Sequence, residues 1–152
     1  MIFTTKAEYG VRLLIQLGVH GGDAPVSLKS VAALENLPLA YLERIAALLK
    51  KADLVASTRG AHGGYVLAQP AEEITMDRVV LALEGAIAPM ECFTETGNDR
   101  VACSHPEGQH CATKLLWTRV QLGVIKSLQR TTLAELVAFT AARPELADPL
   151  PA

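Results

Sequence analysis

No apolar stretch in this chain approaches the roughly 18 residues that a membrane span needs, and the longest, over 11–19, is interrupted by Arg12 and Gln16. The start, MIFTTKAEYG, lacks a basic region leading into an apolar run and a small-residue cleavage site. Nothing marks it for export, and a cytoplasmic protein without a membrane partner is expected. There is no basic excess either: the formal net charge is −2, which argues against a generic nucleic-acid binder, so any case for DNA must be local. Cysteine is scarce and odd in number, three in all, and cannot pair fully within one chain. In a reducing compartment such a set points to metal or redox chemistry before a disulfide framework. Internal repeats and low-complexity tracts are missing. Apolar residues, by contrast, make up 50% of the 152, enough for one domain with an extension to bury a real core.

The periodic segments fall in a telling order. Thr5-Lys6-Ala7-Glu8 reads as a capping box, and Tyr9, Leu13, Leu14 and Leu17 recur at helical spacing until Gly21-Gly22, predicting a helix over 6–20. Ser27 can cap a second helix to residue 34, and Pro38 suits the first turn of a third, where its missing N–H costs little. Strand-like runs over 54–59 and 65–67 then flank Gly60-Ala61-His62-Gly63-Gly64, a turn too glycine-rich to pack a core. A fourth helix starts at Thr75 and runs to about 83. Residues 85–110 show no sustained period. From 112 to 130 the chain is helical again, with Trp117, Val120, Val124 and Leu128 in a stripe that Leu115, Leu116, Leu122 and Ile125 widen. So apolar a helix calls for a partner. Thr132 and Glu135 form a second capping box opening a helix to about 141, and the tail beyond Arg143 should fray.

Helix, turn, helix and glycine-tipped hairpin make a winged helix-turn-helix: a mainly α fold with a small β wing, followed by the long helix over 112–130 that calls for a partner. In the third helix Leu42, Ile45, Ala46 and Leu49 share an inward face, leaving Ala40, Glu43, Arg44, Ala47, Lys50 and Lys51 outward. Between 38 and 64 four cations, Arg44, Lys50, Lys51 and Arg59, face two anions, Glu43 and Asp53. That local excess of two would appear twice in a dimer. The candidate DNA-facing set is Ala40, Tyr41, Glu43, Arg44, Lys50, Lys51, Ser57, Arg59 and His62. Arg59, a guanidinium at a glycine-rich turn, suits a narrow minor groove or phosphates, and Glu43 can accept from a cytosine amino group. The bland alternative is a helical domain with a decorative hairpin and ordinary solvated charges.

Cys92, Cys103 and Cys111 fall in and just beyond the irregular polar segment, away from apolar helix faces where a free cysteine packs as a small hydrophobe. Thiolates so placed can converge on zinc or on an iron-sulfur cluster. Three is one short of a full set. His105 or His110 could complete a zinc site, although the spacing is not that of a zinc finger and C-x-x-C is absent. A cysteine nucleophile with either histidine as base would need an oxyanion-binding turn beside it, and none is legible, so no enzyme is expected.

Thr4-Thr5-Lys6-x-x-Tyr9, Tyr41-Leu42-Glu43, Lys51-Ala52-Asp53-Leu54-Val55, the wing Arg59-Gly60-x-x-Gly63-Gly64-Tyr65-x-Leu67 and the cysteine trio together resemble the IscR/NsrR family of iron-sulfur transcription regulators. The likeness spans nearly the whole chain, and the wing is its specific part. It implies a homodimer on double-stranded promoter DNA and an iron-sulfur cluster of two or four irons on Cys92, Cys103 and Cys111. It also implies a fourth ligand, for which Glu8 stands at the position from which, in the nitric-oxide-sensing branch, an acid reaches across from the other subunit. The competing reading keeps Glu8 in the capping box. Two departures matter: Lys114 replaces the histidine that follows the last cysteine in the cluster-assembly branch, and the cysteines are more widely spaced than usual. A third, Asp53 where a glycine closes the third helix, is tolerable because Asp is among the few other residues that visit left-handed backbone. The expected organisation is a DNA-binding head over 1–84, a cluster-binding loop over 85–111, the dimerisation and terminal helices over 112–142, and a flexible tail over 143–152. The expected role is a regulator sensing nitric oxide, redox state or iron; a zinc site or thiol switch is the alternative.

Overall fold

The computed structural model describes residues 3–22, 24–88 and 111–142. Among these residues six helices and one hairpin follow in the order α1 (Thr5–His20), α2 (Leu28–Glu35), α3 (Leu39–Lys51), β1 (Val55–Thr58), β2 (Gly64–Leu67), α4 (Met76–Glu84), α5 (Ala112–Arg130) and α6 (Leu133–Ala141). The strands are antiparallel, pairing Val55 with Leu67 and Thr58 with Gly64. β1 is shorter than the run expected over 54–59, since Leu54 is spent closing α3 and Arg59 belongs to the turn, whereas β2 takes in Gly64 ahead of the expected 65–67. Among the described residues no helix is long and apolar enough to cross a membrane.

One core unites these elements. Leu13, Leu14 and Leu17 of α1 meet Val31 of α2, Leu42, Ile45 and Leu49 of α3, Val79 and Leu83 of α4, and Leu133 at the start of α6. The four inward residues expected in α3 are the four that are buried, as a 3.6-residue period requires. The helix ends in a Schellman motif: Asp53, with φ 55°, donates its N–H to the Lys50 carbonyl at 3.1 Å, and Leu54 donates to the Leu49 carbonyl at 3.0 Å. The left-handed aspartate thus does the work of the glycine whose place it takes, and its own carbonyl accepts from Gln69 Nε2 at 2.8 Å.

The start of α1 departs from expectation. Thr4, not Thr5, is the N-cap, and its hydroxyl accepts from the Lys6 N–H at 3.2 Å. The third helical position is then Ala7, which has no carboxylate to complete a box. Glu84, at the far end of α4, takes that place, accepting from the N–H groups of Thr4 (3.0 Å) and Ala7 (3.1 Å) and from the Thr4 hydroxyl (2.5 Å). Burial raises the pKa of the Glu84 carboxyl, but these bonds and the nearby Lys6 ammonium outweigh it and leave the group below its ordinary value. At α6 the expected box does form, with Thr132 Oγ1 accepting from the Glu135 N–H and Glu135 Oε2 accepting from the Thr132 N–H, both at 3.3 Å.

Candidate nucleic-acid interface and metal-ligating residues

The outward face of α3 and the hairpin lie on one continuous backbone, because the Schellman turn leads directly into β1. Ala40, Glu43, Arg44, Lys50, Lys51, Ser57, Arg59 and His62 are all exposed, and Tyr41 is half-buried. Lys50 Nζ donates to Ser57 Oγ at 2.5 Å and so ties the last turn of α3 to the first strand of the wing. Gly60, at φ 121°, and Gly63, whose missing side chain leaves room for the Thr58 and Arg59 backbone, form the tip beside Arg59. The hairpin is tethered close to its turn: Val26 donates its N–H to the Tyr65 carbonyl at 2.9 Å and accepts from the Tyr65 N–H at 2.8 Å.

Tyr41 is half-buried for a reason. Its ring meets that of Tyr9 edge-to-face, with centroids 5.7 Å apart and planes at 85°. The Arg12 guanidinium lies over the other ring of the pair, 5.9 Å from the Tyr9 centroid. Arg12 Nε also donates to Glu35 Oε2 at 2.7 Å and its Nη2 to the Glu35 carbonyl at 2.8 Å, while Gln16 Nε2 donates to Glu35 Oε1. Sequence reasoning missed this cluster. Glu8 and Arg12 stand four apart, which was its one legible signal.

Of the metal-ligating candidates, Cys92 and Cys103, with His105 and His110, lie outside the described residues. Cys111 is a free, half-exposed thiol at the N-cap of α5, where it makes no side-chain capping bond. Glu8 has no role in the helix cap; its side chain is 62% exposed, and among the described residues its one ion pair is a loose 3.6 Å contact with Arg12. Thiolate and carboxylate are donors that iron accepts, and both described candidates present an available donor atom, so they fit the implied cluster as far as they go. Among the described residues no three His, Cys, Asp or Glu side chains converge within the one chain.

A recognition helix and a tethered wing on a helical head define a winged-helix DNA-binding regulator. Comparison with known proteins narrows this. The sequence profile of the Rrf2 family, described as iron-dependent transcriptional regulators, matches residues 3–139, and the chain belongs to that family. The protein Rrf2 of Nitratidesulfovibrio vulgaris is 39% identical over 90% of this chain and 87% of its own. CymR, the global cysteine regulator of Bacillus subtilis, has a solved structure that superposes with a TM-score of 0.73 at 36% identity, covering 91% of this chain and 97% of CymR. IscR of T. potens superposes with a TM-score of 0.70 at 32% identity, over 99% of this chain and 93% of that one. The expected resemblance and fold class hold, and the chain is a transcriptional regulator, not an enzyme.

Proposed function

We propose that the chain works as a homodimer on promoter DNA and senses nitric oxide, redox state or iron through an iron-sulfur cluster held by Cys92, Cys103, Cys111 and Glu8. The observation that carries the ligand set is the capping of α1 by Glu84, which removes the competing structural role of Glu8 and leaves its carboxylate exposed. Dimerisation is supported by α5: none of its residues is buried, and Leu115 (56%), Leu116 (55%) and Leu122 (50%) stand exposed on it. In this reading α3 enters the major groove, with Glu43 and Arg44 at base edges and Tyr41 and Ala40 beside them. Lys50, Lys51, Arg59 and His62 hold phosphates or the minor groove, and Ser57 aims Lys50. Glu8 and Cys111 bind the cluster at α1 and at the head of α5, so that ligand exchange there bears on both the head and the dimer helix. The cluster, when bound, supplies a centre that nitric oxide, oxidants or iron scarcity degrade, the more readily for its one non-thiolate ligand.

The likeness to CymR favours a second reading, in which the same head is governed by zinc or by a thiol switch at Cys111 and its companions. One measurement separates the two: the absorption spectrum of protein purified without oxygen, with iron, sulfide and zinc assayed on the same sample. Brown protein with matched iron and sulfide, bleached in Cys111→Ser and altered in Glu8→Ala, is the expected result. Protein that stays colourless through cluster reconstitution would replace the cluster by zinc or a thiol pair.

A further inference from the structure

Arg12 ties α1 to α2 and, through Tyr9, reaches α3 without touching the DNA-facing surface. Its Nε and Nη2 donate to the side chain and the carbonyl of Glu35, the last residue of α2, so a cation closes the negative end of that helix. Its guanidinium faces the Tyr9 ring, and Tyr9 meets Tyr41 in the first turn of α3. Its remaining nitrogen, Nη1, faces Glu8 at 3.6 Å. Between Glu35 and α3 the chain has only Asn36, in a left-handed conformation at φ 52°, then Leu37 and Pro38. The setting of that turn fixes the angle at which α3 leaves the head. Arg12 therefore grips the recognition helix at both its approach, through Glu35, and its first turn, through the tyrosine pair.

The two carboxylates around Arg12 are not equivalent. Glu35 is largely buried, with both oxygens and its carbonyl engaged, whereas Glu8 is exposed and loosely paired. A change in charge at Glu8 is thus felt first at Arg12, which among the described residues has Glu35 and the Tyr9 ring face as its other partners. Neutralising Glu8 leaves the full guanidinium charge to those two and tightens both contacts, because attraction to the ring quadrupole and to Glu35 no longer competes with a second anion. We propose that Arg12 is a positioning residue that relays the charge state of the Glu8 carboxylate, through Tyr9 and Glu35, to Tyr41 and the helix-turn-helix. As a regulatory device this rests on the reading of Glu8 as a ligand, since coordination is what would change that charge in use; the relay itself is testable without any metal.

The chain has three tyrosines, Tyr9, Tyr41 and Tyr65, so fluorine NMR of the metal-free, fluorotyrosine-labelled protein gives one signal for each, assignable with Tyr→Phe variants. Glu8→Gln, a change at an exposed side chain, is expected to shift the Tyr41 signal and leave that of Tyr65 in place. In an Arg12→Met background the same Glu8→Gln change should leave Tyr41 unmoved. Arg12→Lys, which keeps the charge but not the fork, serves if the methionine variant folds poorly and should sharply reduce the shift. A Tyr41 signal indifferent to Glu8→Gln, or one that shifts equally without Arg12, overturns the relay. The absorption spectrum of anaerobically purified Glu8→Gln reports separately on the ligand: an unchanged cluster there would remove Glu8 from the ligand set while leaving the tyrosine result to stand or fall alone.

Discussion

Glu84 accepts the Thr4 backbone N–H at 3.0 Å, and so the end of α4 closes the start of a helix 80 positions earlier in the chain. The same oxygen takes the Thr4 hydroxyl and the Ala7 N–H, which fastens the end of α4 to the helix that carries Glu8.

Glu84→Gln should destabilise the protein at neutral pH by about 1–2 kcal/mol, the size of a lost cap with charged acceptance. The folded carboxyl titrates below its ordinary value. Its contribution is therefore present above the unfolded-state value and is lost as the pH falls through the lower folded value. Urea unfolding across that range should show the gap between wild type and Glu84→Gln closing on acidification. A gap that stays constant into acid would mean that the charge of the carboxylate is irrelevant to the cap.

Asp53→Gly is expected to leave stability unchanged or raise it by up to about 1 kcal/mol, because glycine adopts the left-handed turn freely and a negative charge is removed from a helix C-terminus. Asp53→Val should cost about 1–2 kcal/mol for the same backbone angle. Thermal unfolding of the pair checks both signs at once.

At the DNA face the salt dependence of affinity separates the roles. Arg59→Ala and Lys51→Ala should weaken binding across sequences and reduce the salt slope by about one each, as phosphate contacts do. Glu43→Ala should instead relax discrimination at one base position, with little change in slope. Ser57→Ala, which frees Lys50, should fall between wild type and Lys50→Ala. Binding measured by anisotropy, on a duplex selected by the wild-type protein from a random pool, gives all of these.

Leu122→Glu should convert the proposed dimer to monomers in sedimentation, because it places charge in the exposed apolar face of α5 while Leu128 stays packed against the core. The monomer should keep its helical content. A dimer that survives the change would place the subunit contact elsewhere.

What could be read from the sequence was what local periodicity controls. The inward face of α3 and the span of α5 followed from 3.6-residue spacing, and the wing from glycines flanked by β-branched and aromatic residues. The capping box at Thr132 was legible because both partners lie within four residues. The one at Thr5 misled for the same reason: Glu8 offers the right spacing, but the helix begins one residue earlier and an acid from α4 supplies the acceptor, which no local pattern encodes. Gly18 is a similar case. It reads as a weak helix residue, yet a Cβ there would come within 2.5 Å of Val137 Cγ2, so its smallness is what seats α6 against α1. The Arg12 cluster stayed hidden because Glu35 and Tyr41 are distant in sequence and ordinary in type. Charge in the recognition face was visible; which of those charges are held, and by what, was not.

The pair of hydrogen bonds between Val26 and Tyr65 has a consequence for how the head can respond. A hairpin rooted only in its own turn would swing like a flap, independent of the helix before it. Stitched to the segment that leads into α2, with Gly64 pressed against the Val26 backbone, this one is part of the same casting as the helix-turn-helix. Helix and wing therefore present a fixed pair of points, like the jaws of a caliper, so that in the proposed dimer a signal would re-aim each caliper as one piece and not change its opening.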